Sequence, residues 1–409
     1  MSSAPYPRLL RTPGAAGFFL TATVGRVGIA MTGLGIVWLV HGRTGSYASA
    51  GLVSGGFAVA EALVGPQLAR LIDHFGQTRV LPPLLLAHAA AVATLLALVA
   101  GDSPPGLMTA GGVLVGATIP QLGALSAARW VALLGEQRPA ELPSAFSLES
   151  LGNAVGYLAG PTLVSALGAN GHPALGTVLA AALVVTGGGL LAAQHRTAPT
   201  PLTSPPEAAE RSRAGRSLLR PAFTALIGLN LAIGVFFGAV QVSVTAFAVE
   251  HHAAAATAPI FAASNCAGLL AGWLYGVRRW RATPQRQLAV ATAVLALGGL
   301  LLPTAGSPLA LGSVIVFTGA AIPPVLVLLS VLAESTVHRA VLTQAFTWLN
   351  SASAAGSAGA AALSGRAVDA FGATGGFALA AAGTTGMAVL AVGFCLWGGG
   401  EGRVAGGGG

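Results

Sequence analysis

The sequence predicts an all-α polytopic membrane protein, with twelve transmembrane helices in two pseudo-symmetric bundles of six. Three observations carry that reading. Of the 409 residues, 54% are hydrophobic and only 8% charged, whereas a soluble domain carries about 25% charged residues. Apolar stretches of bilayer-crossing length, about 20 residues, follow one another from Phe18 to Trp397. One long polar, proline-rich segment, TAPTPLTSPPEAAERSRAGR, interrupts them near the middle.

The expected spans cover 15–40, 48–71, 80–100, 107–131, 146–168 and 174–194 in the first half. In the second they cover 222–248, 254–276, 287–304, 309–332, 341–364 and 374–397. The organisation read from these is a first bundle over 1–194, a linker over 195–220, and a second bundle with a short tail over 221–409. Arg8 and Arg11 ahead of apolar sequence resemble the start of a signal peptide. The apolar run from Gly14 to Val40 is too long for one and contains Arg26, so it reads as a retained first helix.

Arginine placement sets the orientation. All 20 basic residues are arginine, as GC-rich bacterial coding would give. With a cytoplasmic N-terminus, seventeen of the 20 fall on the inside, Arg43 and Arg366 outside, and Arg26 within a span. That asymmetry is what the positive-inside rule demands, and an odd number of spans would scramble it. Both termini are therefore expected in the cytoplasm of a bacterial cell. The net charge of +8 is explained by orientation, not by nucleic-acid binding. Cys266 and Cys395 lie in apolar segments and form neither a disulfide framework nor a metal spacing. No Walker-type loop, Ser–His–Asp set or HExxH is present, so neither direct ATP use nor hydrolysis is expected, and no cofactor or metal.

Four groups of residues carry the mechanism. In the loop GPQLARLIDHFGQTRVL a carboxylate, a glycine and a cation, Asp73, Gly76 and Arg79, share a tight turn. A weak echo, SGRAVDAFG, places Arg366, Asp369 and Gly372 at the same spacing. In the fifth span Gly152, Gly156 and Gly160 recur every four residues with Pro161 after them, a face that lets helices approach closely. Arg26 and Glu61 lie about ten residues inside their spans, about 15 Å deep. Charges there are costly and face a cavity or each other. Glu61 is expected to change protonation, with Arg26 as its counter-charge. Arg129 and Glu149, at span ends, are expected to join Asp73, Gly76 and Arg79 in a cytoplasmic gate. Gln121, Asn153, Asn230, Gln241, Asn265, Trp348 and Asn350 are the candidates to line a cavity. Pro120, and Pro323 with Pro324, are candidates to break or bend helices.

The loop around Asp73 resembles the signature of the major facilitator superfamily. The Gly156–Gly160–Pro161 core is similar to the fifth-helix motif of its drug–proton antiporters. TQAFTWLNSASAAGSAG resembles the eleventh helix of exporters from high-GC bacteria, with Gln344 where an acidic residue is usual. His74 and Gln77 stand where the loop signature carries basic residues, and Thr162 to Val164 replace further glycines. The resemblance implies a major facilitator fold, alternating access about a midplane site, and an aspartate latch facing the N-terminus of the eleventh helix. The expected function is proton-coupled efflux of a small organic molecule by a monomer in the bilayer, with a proton symporter importing a sugar or related metabolite as the alternative. A polytopic membrane enzyme or signalling protein is the reading outside transport.

Overall fold

Residues 5–135, 137–200, 215–251, 257–278 and 280–404 are described by a computed structural model. Most of the linker expected at 195–220, together with Arg279 and His252, lies outside these residues. Among the described residues there is no strand. A short helix α1 (Pro5–Leu10) precedes α2 (Ala15–Thr44), α3 (Tyr47–Phe75) and α4 (Gln77–Ala100). Next come α5 (Pro105–Thr118), α6 (Leu122–Leu134), α7 (Leu142–Ala169) and α8 (Pro173–Ala192). The second half holds α9 (Pro221–Glu250), α10 (Thr257–Val277), α11 (Pro284–Leu301), α12 (Pro308–Thr336), α13 (Leu342–Phe371) and α14 (Ala373–Val404).

Each expected span coincides with one helix except the fourth, which is two helices, α5 and α6. The cause is local. Pro120 follows Ile119, which is extended at φ −70°, ψ 124°, because the proline ring disfavours the helical region for the residue before it. Pro323 and Pro324 were the other expected break, and there α12 runs through unbroken. Spanning helices tolerate such prolines where neighbouring helices re-satisfy the freed backbone groups.

Among the described residues, ten helical segments, α5 and α6 counted as one, are long and apolar enough to cross a membrane. The two other long helices, α7 and α13, hold the fifth and eleventh places, equivalent positions in the two sets of six. Both are rich in Gly, Ala and Ser. Leu86, Leu309 and Leu63 are exposed at 73, 82 and 68%, as leucines facing lipid are.

The chain divides into two compact units. Unit 1 holds 1–214 and 338–351, and unit 2 holds 215–337 and 352–409. The first turns of α13 thus belong with unit 1 and the remainder with unit 2. Within unit 1, α2 packs against α8, α7 and α3, and α3 against α5. Within unit 2, α9 packs against α14, and α10 against α12.

Gly76 joins α3 to α4 at φ 93°, a conformation costly for any residue with a Cβ. Gly372 joins α13 to α14 at φ 68°. The three-residue echo in the sequence therefore falls on two turns of similar build. Each ends a helix on a backbone hydrogen bond, Gly76 N–H to Ile72 O at 2.7 Å and Gly372 N–H to Val368 O at 2.8 Å.

Candidate functional site

The glycine face of α7 determines what surrounds Arg26. A Cβ at Gly156 would meet the backbone of Arg26, and one at Gly160 would lie 2.9 Å from Ala30 Cβ. At Gly152 it would stand 2.8 Å from Arg26 Nη1. The three glycines are therefore the surface on which α2 lies against α7. Pro161 follows them inside α7 without ending the helix. Unit 2 repeats the device, since Cβ atoms at Gly234 and Gly238 of α9 would run into the carbonyls of Ser353 and Ser357 on α13.

Glu149 sits one turn before Gly152, on that same face, and it is the partner of Arg26. The Arg26 guanidinium donates to the Glu149 carboxylate through Nη2 and to its backbone carbonyl through Nη1 at 3.3 Å. Two more donors reach the same carboxylate, Ser126 Oγ and Trp130 Nε1, each at 2.7 Å. Arg26 is 5% and Glu149 7% exposed. Within this cluster, Arg26 Nε is buried with no hydrogen-bond partner among the described residues.

The expected pairing of Arg26 with Glu61 is corrected by this geometry. Glu61 lies on α3, and its Oε1 accepts from Gln121 Nε2 at 3.1 Å. The first turn of α6 separates the two charges, with Gln121 facing Glu61 and Gly123 next to the Arg26 guanidinium. Equal depth placed them at one height, but the two side chains point to opposite sides of that turn. Glu61 is half-buried, and the phenol of Tyr157, 72% exposed, lies within its electrostatic reach. Below it, Gly65 packs near Gln121 and Thr347.

Of the five residues grouped as a gate, Asp73, Arg129 and Glu149 have separate partners. Arg129, fully buried, donates to Gln77 Oε1 at 2.7 Å, Thr197 Oγ1 at 2.9 Å, and the carbonyls of Leu191 and Gln194 at 2.9 and 3.0 Å. It holds the carbonyl end of α8, where a cation is favoured. Asp73 Oδ2 accepts from Gln344 N–H at 2.9 Å in the first turn of α13, with Thr343 also in reach. Glu149 belongs with Arg26, as described. Arg79 is exposed.

The cavity candidates divide as well. Gln121 is at the break between α5 and α6. Asn153 is exposed on α7, near Gly123. Trp348 and Asn350, in the part of α13 that belongs to unit 1, are exposed. In unit 2, Gln241 is exposed and Asn265 half-buried. Asn230 is buried and donates to Leu226 O of its own helix at 3.0 Å, which satisfies its amide without a ligand.

Ser126, Trp130, Thr197 and Tyr157 carry no expectation from the sequence, and Gln77 was placed there only as a departure from the loop signature. Two signals pointed to the first pair. A Trp indole N–H inside an apolar helix needs an acceptor, and Ser126 sits one turn from it on the same helix.

A family model described as Major Facilitator Superfamily matches residues 18–361. No curated protein matches the chain. Among solved structures, the fold is similar to that of the human organic anion transporter TETRAN, at 16% identity and TM-score 0.66, covering 92% of this chain and 98% of that one. It is also similar to the transporter FucP in the outward conformation, at 15% and 0.70, covering 94% and 99%. A bacterial homologue of the iron transporter ferroportin in its outward-facing state matches at 13% and 0.70, covering 93% and 98%.

Proposed function

Since this chain belongs to the major facilitator superfamily and is a multi-pass secondary transporter, we propose that it exports a small organic molecule in exchange for protons, with Glu61 as the proton-carrying group. The observation that carries the reading is the contrast between the two carboxylates inside unit 1. Glu149 is buried and holds a guanidinium, a hydroxyl and an indole N–H, so protonating it dismantles an ion pair. Glu61 is half-buried and its hydrogen-bond partner is the neutral amide of Gln121. A proton can bind and leave there without stranding a buried counter-charge.

Four further features support the details. Discontinuous helices border substrate and ion sites in many transporters, and Gln121 stands at the break between α5 and α6. The exposed Tyr157, Trp348 and Asn153 offer aromatic and neutral polar surface, which suits an amphipathic or weakly polar substrate. Seventeen of 20 arginines fall on one side of the twelve-span topology, which supports a bacterial plasma-membrane protein with both termini in the cytoplasm. The fifth-helix glycines resemble those of drug–proton antiporters and favour efflux.

The test is accumulation of dyes and drugs in everted vesicles under an imposed pH gradient, with wild type beside Glu61→Gln. Gradient-driven accumulation that Glu61→Gln loses, with unchanged protein level, is the expected result. Accumulation that survives the substitution overturns Glu61 as the proton site. No accumulation across a broad panel, with uptake of a sugar by right-side-out vesicles, establishes the symport alternative.

A further inference from the structure

We infer that unit 1 carries a binding site for a phosphoryl anion in a recess built from its N-terminal segment. This recess, of about 420 Å³, is lined by Pro7, Arg8, Arg11, Thr12, Pro13 and Arg138. It stands apart from the transport reading and from every residue placed near Glu61 or Arg26.

Charge is the first argument. Three guanidinium groups face the recess, and one described carboxylate serves them. Glu141 pairs with Arg8 at 3.4 Å and with Arg138 at 3.3 Å, while Arg11 has no acidic partner among the described residues. The recess keeps an excess of about two positive charges. Guanidinium forks match the geometry of phosphate oxygens.

The second argument is rigidity. α1 is anchored on α2 and α7, with Leu9 fully buried and Tyr6 7% exposed. Gly14 makes the turn into α2 at φ 82°, where an added Cβ would strike Thr197. Thr12 Oγ1 accepts from Arg138 Nη2 at 3.0 Å and donates to Arg8 O at 3.3 Å, which ties the loop to the far wall of the recess. The backbone that carries Arg8 and Arg11 is thus held on a built frame, so no segment has to fold for an anion to bind. Arg8 is 65% exposed along its side chain, so an anion reaches it from outside.

Two sources offer the same chemistry: the headgroup of an anionic phospholipid and free phosphate. With the arginine-rich end facing the cytoplasm, the recess lies at the depth of the inner headgroup layer, where basic clusters attract anionic lipid.

Native mass spectrometry of the detergent-solubilised full chain, titrated separately with phosphatidylglycerol and inorganic phosphate, tests the site. Arg8→Gln/Arg11→Gln is expected to weaken the binding by roughly 30-fold, five- to sixfold for each arginine. Arg281→Gln/Arg286→Gln, with equal loss of charge in unit 2, is expected to leave it unchanged. An arginine-dependent lipid adduct that excess phosphate does not displace identifies the headgroup; an arginine-dependent adduct of phosphate alone identifies the free anion. Both results uphold the site. Equal affinity in wild type and Arg8→Gln/Arg11→Gln, or an equal loss in the unit 2 control, overturns it. Both arginines of the first variant are exposed, and its unliganded melting temperature checks that it folds; Arg11→Gln alone serves as a second variant.

Discussion

Arg26 of α2 and Glu149 of α7 form a buried ion pair inside unit 1, closed by Ser126 and Trp130. Three donors on one carboxylate in a medium of low dielectric make a strongly coupled cluster. The pair lies where the glycine face of α7 meets α2, so close packing and charge neutralisation are one arrangement.

Removing one member of that pair leaves the other charge buried. Arg26→Met or Glu149→Gln alone is expected to cost about 3–5 kcal/mol. The double substitution Arg26→Met/Glu149→Gln keeps an acceptor for Ser126 and Trp130 and removes both charges, so it is expected to be more stable than Arg26→Met. Thermal unfolding followed by tryptophan fluorescence reads this. A double variant as unstable as the sum of the singles would contradict the pairing.

The glycine face predicts a graded series. Gly160→Leu places side-chain atoms against Ala30 and the Val27 carbonyl, and overpacking of this kind costs about 1–3 kcal/mol. Gly359 has open space where a Cβ would go, so Gly359→Ala is expected to be neutral or slightly stabilising through helix propensity. Melting temperatures of the two variants check the contrast.

Asp73 caps the first turn of α13. Asp73→Ala is expected to lose about 1 kcal/mol, the usual worth of a capping acceptor. Asp73→Asn keeps an oxygen that can accept from Gln344 N–H and is expected to retain most of it. Equal losses for the two would mean that the hydrogen bond carries little of the energy. Hydrogen exchange at residues 343–346 gives a local reading, with faster exchange expected in Asp73→Ala.

Alkaline pH tests the anchoring of α1. Burial pushes the Tyr6 phenol up to about 12, from about 10 in an unfolded chain. Folding favours the protonated phenol, so its stabilisation is whole below pH 10 and is lost as the pH rises towards 12. The loss amounts to about 2–3 kcal/mol. Tyr6→Phe is expected to flatten the fall in stability between pH 10 and 12. Parallel curves for variant and wild type would show that the phenol is free to ionise in the folded chain.

The resemblance of α7 and α13 shows why much of this was legible beforehand. Both fall short of the apolarity of the other spans, yet their length and their place between apolar neighbours marked them as helices. Gly152, Gly156 and Gly160 could be placed on one face by spacing alone. Glu149 shares that face, three residues earlier, because residues three apart on a helix are also neighbours on its surface. It was assigned to a helix end because depth was counted and direction was not.

The sequence by itself determined the order and approximate placement of the long helices, because a bilayer admits only long apolar segments whose backbone groups are satisfied within the helix. It offered Pro120 and Pro323 with Pro324 as places to break or bend a helix, and of these the chain breaks at Pro120. Only the tertiary structure decided that Arg26 meets Glu149 and that Glu61 meets Gln121. Height along a helix follows from 1.5 Å per residue, but which neighbour a side chain faces depends on how each helix is rotated against the next. That rotation is set by packing between segments far apart in the chain, the glycine face of α7 against α2 above all.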